Sequence, residues 1–295
     1  MREVTWIGAD WGTTNLRLFA MDDHNQVMTQ QKLASGFGSL TPREFESHLR
    51  KGLHAWDLPK HTTIIACGMV GARTGWIEAP YQETPAFDIA QDLTKAPTSS
   101  PALEVWIAPG ICQMNPCDVM RGEETQIAGF LMGNPKFAGQ LCLPGTHSKW
   151  VKIDHGVIQN FRTVMTGELF GLLIHHSSLQ NAIDPTAWDD ATFLQALHEG
   201  ANAPQMINTN LFGVRAENLL QTQPACALAR LSGLLVGGEL AAYKDTQSVI
   251  VIGDSEISAR YHMGMKALGI DAEIYDGTEM VIKGLIAAYE RHKHG

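Results

Sequence analysis

Residues 4–18, VTWIGADWGTTNLRL, decide the fold. The apolar run from Val4 to Ala9 reads as a buried strand that ends on one carboxylate, Asp10. Gly12-Thr13-Thr14 makes a tight turn, and Leu16 to Met21 returns as a second strand. A carboxylate at a strand end, beside small residues with free N–H groups, suits a polyphosphate carrying Mg²⁺. The acid holds the hydrated metal, while backbone N–H and hydroxyl donors hold phosphate oxygens. Glycine lets the backbone approach such a group closely. Gly-Thr turns also close ordinary hairpins with no chemistry, so these residues alone leave both readings open.

The pattern returns in the second half. Residues 141–154, LCLPGTHSKWVKID, repeat an apolar strand, a Gly145-Thr146 turn and a second strand. Each copy opens a strand–turn–strand–turn–strand segment. The first continues to Val27-Met28-Thr29 and the second to Val157-Ile158-Gln159. Each half of the chain therefore carries one such loop, in matching places.

A chain of 295 residues favours two domains over one simple core. Its composition, 44% hydrophobic and 18% charged, permits large buried cores. A net charge of −9 and a pI of about 5.7 argue against a nucleic-acid or anionic-membrane surface. They do not argue against a phosphorylated ligand, for which Mg²⁺ and local N–H groups supply positive potential. Five cysteines, Cys67, Cys112, Cys117, Cys142 and Cys226, form no CxxC pair. That odd count indicates neither a disulfide framework nor a zinc site, and reduced thiols fit a cytoplasmic protein. No secretory leader is recognised, and no apolar run is long enough to span a bilayer.

Between the two turns, Thr41-Pro42 opens a helix expected to reach about Trp56. A strand at Thr63 to Ala66 delivers the glycine-punctuated loop CGMVGARTGW, residues 67–76, at the kind of strand edge where α/β proteins bind ligands. Residues 94–101 read as a surface loop. In VMRGEETQIAGFLM, residues 119–132, Gly122-Glu123-Glu124 starts a helix. The two acids can simply suit the helix dipole, or one can act as a general base. His175 and His176 read as helix-end residues rather than metal ligands. Residues 226–243 predict a long helix of small residues. The strand VIVI, Val249 to Ile252, ends in Gly253-Asp254-Ser255, a strand–turn–helix join that can face a nucleotide.

Taken together, the chain resembles the 2-dehydro-3-deoxygalactonokinase family, sugar-acid kinases within the ASKHA superfamily of actin, heat-shock chaperones and sugar kinases. The resemblance rests on IGADWGTTNLR at 7–17, MVGARTGWIEAPY at 69–81, VMRGEETQ at 119–126, LPGTHSKWV at 143–151, NFRTVMTGEL at 160–169, LSGLLVGGE at 231–239 and ISARY at 257–261. It implies an α/β protein of two RNase H-like (actin/hexokinase-type) domains with a nucleotide cleft between them. One domain would be 1–120 plus 277–295, carrying metal, phosphate and sugar acid. The other would be 121–276, carrying the nucleotide.

It further implies ATP and Mg²⁺, with Asp10 near the metal. Gly12, Thr13, Thr14, Gly145, Thr146 and His147 would flank the phosphates, and Gly253 and Ser255 the adenosine. Glu123 or Glu124 would be the base, with a slight preference for Glu124. For an anionic 3-deoxy-2-keto sugar acid, Arg73, Arg121 and Arg162 are the candidate carboxylate partners. Thr166 would complete the sugar site; Trp76 or Tyr81 would pack on the sugar, with core packing an equal alternative. Carbohydrate kinases of the wider family carry Asp where the Glu pair stands, and many relatives carry Gly-Gly where Gly253-Asp254 stands. The expected partners are ATP and the sugar acid, with no nucleic acid and no membrane; a homodimer is the default oligomer. Two rivals remain: a kinase for the epimeric 2-dehydro-3-deoxygluconate, and a non-catalytic nucleotide-gated binding protein.

Overall fold

The computed structural model describes residues 3–87, 90–220 and 226–294, without the Ser255 side chain. The central strand β1 (Trp6–Trp11) is buried on both faces, which is why its sequence is apolar almost without alternation. It pairs antiparallel with β2 (Leu16–Met21), and β2 pairs antiparallel with β3 (Val27–Leu33). Next comes α1 (Phe45–Leu53), which ends at Leu53 and not near Trp56. Ahead of it, the Thr41 N–H and hydroxyl both donate to the Glu44 carboxylate.

On the other side of β1 lies β4 (Thr62–Gly68), parallel to it. Then come β5 (Tyr81–Glu83), β6 (Thr94–Lys95) and β7 (Leu103–Ile107). The sheet order is β3-β2-β1-β4-β7-β6. Residues 94–95, expected in a loop, are therefore an edge strand, antiparallel to β7. A small sheet ordered β5-β8-β9 adds β8 (Gly110–Met114) and β9 (Cys117–Met120). After it, α2 (Glu123–Gly133) begins at the acidic pair.

The second sheet starts with β10 (Gly139–Leu143), β11 (Ser148–Asp154) and β12 (Val157–Val164). Four helices follow: α3 (Thr166–His176), α4 (Asp190–Asn202), α5 (Ile207–Leu220) and α6 (Ala227–Leu240). The chain then makes β13 (Ser248–Gly253), α7 (Ser255–Ala267), β14 (Asp271–Asp276) and the closing helix α8 (Gly277–His294). The order β12-β11-β10-β13-β14, with β13 parallel to both β10 and β14, reproduces the order β3-β2-β1-β4-β7 of the first sheet.

Two compact units result. One holds Met1–Ala138, Lys152–Phe161 and Gly277–Gly295; the other holds Gly139–Val151 and Arg162–Asp276. The first unit thus runs on through α2, whereas the sequence reading ended it at residue 120. The reason is that α2 packs on α8 through facing glycines. A Cβ at Gly129 would lie 1.9 Å from the Met280 carbonyl oxygen, and one at Gly284 would lie 1.9 Å from that of Thr125. In the second unit α4 and α6 meet the same way, at Gly233 and Gly237 against the Phe193 and Leu197 carbonyls. That contact explains the small residues of 226–243.

The core of the first unit centres on Trp11, Phe45 and Trp76, with Trp11 and Phe45 edge to face at 4.9 Å. That of the second gathers Trp150, Phe193 and Tyr261. Among the described residues no helix is long and apolar enough to cross a membrane.

Gly284→Ala should lower the unfolding free energy by at least ~2 kcal/mol in urea titrations, because the new methyl group must push α2 off α8. Gly133→Ala, whose Cβ would meet nothing within 4 Å, serves as the neutral comparison.

Candidate functional site

Asp10 ends β1 and pairs in register with Arg17 on β2. The Arg17 Nε donates to Asp10 Oδ2 at 2.7 Å, and Nη2 donates to the same oxygen. Arg17 Nη1 donates to the Thr278 hydroxyl at 2.7 Å, which ties the pair to the start of α8. On the other side, the Cys67 thiol faces Asp10 Oδ1 at 3.7 Å. Burial holds that thiol well above its ordinary pKa, and Asp10 and Glu124 push it the same way. It is a neutral packing group rather than a nucleophile.

The following turn is fixed from behind. The carbonyls of Gly12, Thr13 and Thr14 accept the N–H groups of Phe37, Gly38 and Gly36. Thr13 and Thr14 stay exposed on the other side, where they can meet a ligand. Gly68, beside the turn, has φ +88°, and a Cβ there would sit 2.6 Å from the Trp11 carbonyl oxygen.

The two glutamates at the start of α2 differ sharply. Glu124 is 1% exposed; its Oε2 accepts the Gly122 N–H at 2.6 Å and its Oε1 accepts the Thr125 hydroxyl at 3.1 Å. Burial, aided by neighbouring Glu123, pushes its carboxyl up to about 8. Glu123 is only partly buried, with Oε2 accepting the Arg121 N–H at 3.1 Å. Gly122, at φ +110°, turns the chain into α2 just before both, and a Cβ there would lie 3.5 Å from the Gly68 Cα. Asp10, Gly68, Gly122 and the acidic pair thus sit together in the first unit.

In the second unit the Gly145-Thr146 turn is gripped by α3. The Glu168 N–H donates to the Thr146 carbonyl at 2.8 Å, and a Cβ at Gly167 would lie 2.2 Å from the Gly145 carbonyl. His147 Nε2 pairs with Glu168 Oε2 at 2.5 Å. A Cβ added at Gly145 would meet nothing within 4 Å, so its outer face is open. Thr166 donates its hydroxyl to Glu239, a buried acid that also accepts the Trp150 indole N–H and the Tyr261 hydroxyl, each at 2.7 Å. Next to them lies a half-open hollow lined by Thr166, Phe170, Ser232, Val236, Ile257 and Tyr261. Gly253 ends β13, and Asp254 caps α7 by accepting the Glu256 N–H at 3.0 Å. The predicted residue Ser255 opens that helix, and its side chain lies outside the described residues.

Four residues expected at the sugar site face different ways. Trp76 is 8% exposed, stacks on Phe45 and donates its indole N–H to the Pro97 carbonyl at 3.0 Å, so it is core and no sugar platform. Arg121 turns inward: Nη2 donates to the Ala79 carbonyl at 2.7 Å, the guanidinium lies 4.3 Å from the Tyr81 ring centre, and Nε and Nη1 are buried. It braces the 67–81 loop through Ala79. Arg73 is exposed on that loop, 3.6 Å from Glu78. Arg162 is exposed in the second unit. The sequence reading missed the Arg17 clamp, although its register position opposite Asp10 was a usable sign. It also missed Glu239, whose sign is a lone acid inside the apolar run LSGLLVGGEL.

Comparison with known proteins gives one answer. The model of the family described as 2-keto-3-deoxy-galactonokinase matches residues 10–288. A protein of Rhizobium meliloti (strain 1021) named "Probable 2-dehydro-3-deoxygalactonokinase" is 36% identical over 295 residues, covering 96% of each chain. The 2-dehydro-3-deoxygalactonokinase of Escherichia coli (strain K12) is 34% identical over 281 residues, 92% of this chain and 93% of its own. A crystal structure from Sinorhizobium meliloti, described under the same activity, superposes with a TM-score of 0.91 at 35% identity, over 97% of this chain and 96% of its own.

The Glu124 environment makes a pH prediction. Unfolded Glu124 titrates near 4.5 and folded Glu124 near 8, so the native state binds the proton more tightly. Its contribution to stability is complete below pH 4.5 and is lost as pH rises through about 8. Glu124→Gln should therefore flatten the fall in stability between pH 5 and pH 8, read from urea midpoints. An unchanged slope would contradict the buried neutral carboxyl.

Proposed function

The chain belongs to the 2-keto-3-deoxy-galactonokinase family, and from that membership we propose that it transfers the γ-phosphoryl group of ATP to the terminal hydroxyl of 2-dehydro-3-deoxy-D-galactonate, giving 2-dehydro-3-deoxy-6-phospho-D-galactonate. The observation that carries this is a family match running from Asp10 to residue 288, which takes in both Gly-Thr turns and the acidic helix start. The repeated strand order supports reading each sheet as an RNase H-like domain, each with its own Gly-Thr turn.

Mg²⁺ suits this donor set. Among the described residues no group of three His, Cys, Asp or Glu side chains could hold an ion alone. A single strand-end carboxylate beside exposed threonines fits an ion bound chiefly by phosphate oxygens and water. When bound, Mg²⁺ would neutralise charge on the triphosphate. Asp10 would hold it, oriented by Arg17. Thr13 and Thr14 would donate to phosphate oxygens from the first turn, and Gly145 and Thr146 from the second. The hollow lined by Ser232, Val236 and Ile257 would take the nucleoside.

Glu123 is the better base, because it is partly exposed whereas Glu124 is 1% exposed. The Glu123 carboxylate takes the proton of the sugar's terminal hydroxyl as that oxygen bonds to the γ-phosphorus. The bond from γ-phosphorus to the β,γ-bridging oxygen breaks, and ADP leaves. Arg73, exposed on the glycine loop, would meet the sugar carboxylate. Positioning and charge neutralisation supply most of the rate.

A coupled ADP-release assay tests this. ADP should appear only with the sugar acid, and kcat/KM should favour 2-dehydro-3-deoxygalactonate over its gluconate epimer. Equal ADP release without any sugar acid would refute the kinase. Glu123→Gln should lose at least ~10²-fold in kcat, while Glu124→Gln stays within about tenfold of the wild type. The reverse ranking would return the base to Glu124. Asp10→Asn should abolish turnover.

A further inference from the structure

Glu239 has no part in the steps above, yet it is a buried acid that accepts three side-chain hydrogen bonds. It sits 6% exposed on α6, and its donors come from three other elements. Trp150 belongs to β11, Thr166 opens α3, and Tyr261 lies on α7. The Trp150 indole can only donate. Tyr261 gives its proton to Glu239 and can accept from the Ser148 hydroxyl 3.0 Å away.

These partners stand at both ends of one turn. Ser148 follows Gly145-Thr146-His147 directly. On the other side, Thr166 precedes Gly167, which lies flat on the Gly145 carbonyl, and Glu168, whose N–H holds the Thr146 carbonyl. Thr166 and Tyr261 also form part of the wall of the neighbouring hollow. Burying a carboxylate is unfavourable unless its oxygens are filled, and here three donors fill them. The same bonds that satisfy Glu239 fix the turn and the wall beside it.

We propose that Glu239 is a positioning residue for nucleotide binding: one buried carboxylate that sets the place of the Gly145–Ser148 turn and of the adjoining hollow. This rests on the reading of that turn as a phosphate site. It acts through its neighbours and touches no substrate itself.

Binding of MgADP by calorimetry, with KM values for ATP and for the sugar acid, tests it on folded full-length variants. Glu239→Ala should weaken MgADP by at least ~10-fold and leave the sugar-acid KM within about threefold. Glu239→Gln should restore most of the loss, because the Thr166 and Tyr261 hydroxyls can turn to accept its amide. Should Glu239→Ala fail to fold, Thr166→Val and Tyr261→Phe each remove one donor and should each weaken MgADP by ~3–10-fold. Gly145→Val separates the two claims, since its side chain meets only a ligand and should weaken MgADP without lowering Tm. If Gly145→Val weakens MgADP while the Glu239 network variants bind it like the wild type, the positioning role is refuted. A parallel loss for both substrates refutes it too. If Gly145→Val binds MgADP normally, the phosphate-turn reading falls, and the positioning role with it.

Discussion

A carboxylate at the end of a strand buried on both faces has to be held, and the Arg17–Asp10 pair holds it. Two guanidinium N–H groups converge on one oxygen of Asp10, in hairpin register, while a third reaches the first turn of α8. With Asp10 fixed, the chain beyond it can turn through Gly12 and leave Thr13 and Thr14 outward. Gly68 can then pass close by only because it carries no side chain, and Gly122 is needed for its φ of +110°. The second unit meets the same demand differently. Its turn follows β10 without an acid, and order comes from Glu239, buried a layer deeper and filled by indole and hydroxyl donors. One repeated strand order therefore carries two different electrostatic anchors.

Much of this was legible in the sequence. Both Gly-Thr turns, the strands around them and the VIVI strand stood out because buried central strands are apolar without alternation, and glycine marks where they stop. The small-residue helix of 226–243 was visible from its spacing. The sheet of β5, β8 and β9 was not, because strands of three to five residues show no reliable period. Side-chain direction was also hidden. Trp76 and Arg121 lie in the segments expected at the site, yet the glycine loop folds back and turns both into the protein. Nothing local distinguishes an arginine that braces a loop from one that awaits a carboxylate.

The acidic pair shows how burial divides labour between neighbours. Adjacent positions on a helix point about 100° apart. Gly122 sets the entry so that Glu124 points inward, accepting a backbone N–H and a hydroxyl. Glu123 then remains nearer the surface. Capping and catalysis looked like rival explanations of one motif; the geometry lets each residue serve one of them. The same economy applies at Asp254, which caps α7 at the place where a second glycine was expected.

The proposed function requires that two turns 133 residues apart in sequence each contact nucleotide, and hydrogen exchange tests this most directly. Amide exchange should be followed by mass spectrometry with and without saturating MgADP. The account predicts slowed exchange in peptides covering residues 11–15 and in those covering 145–148, with the same dependence on nucleotide concentration. Protection confined to one turn, or absent from both, would contradict it.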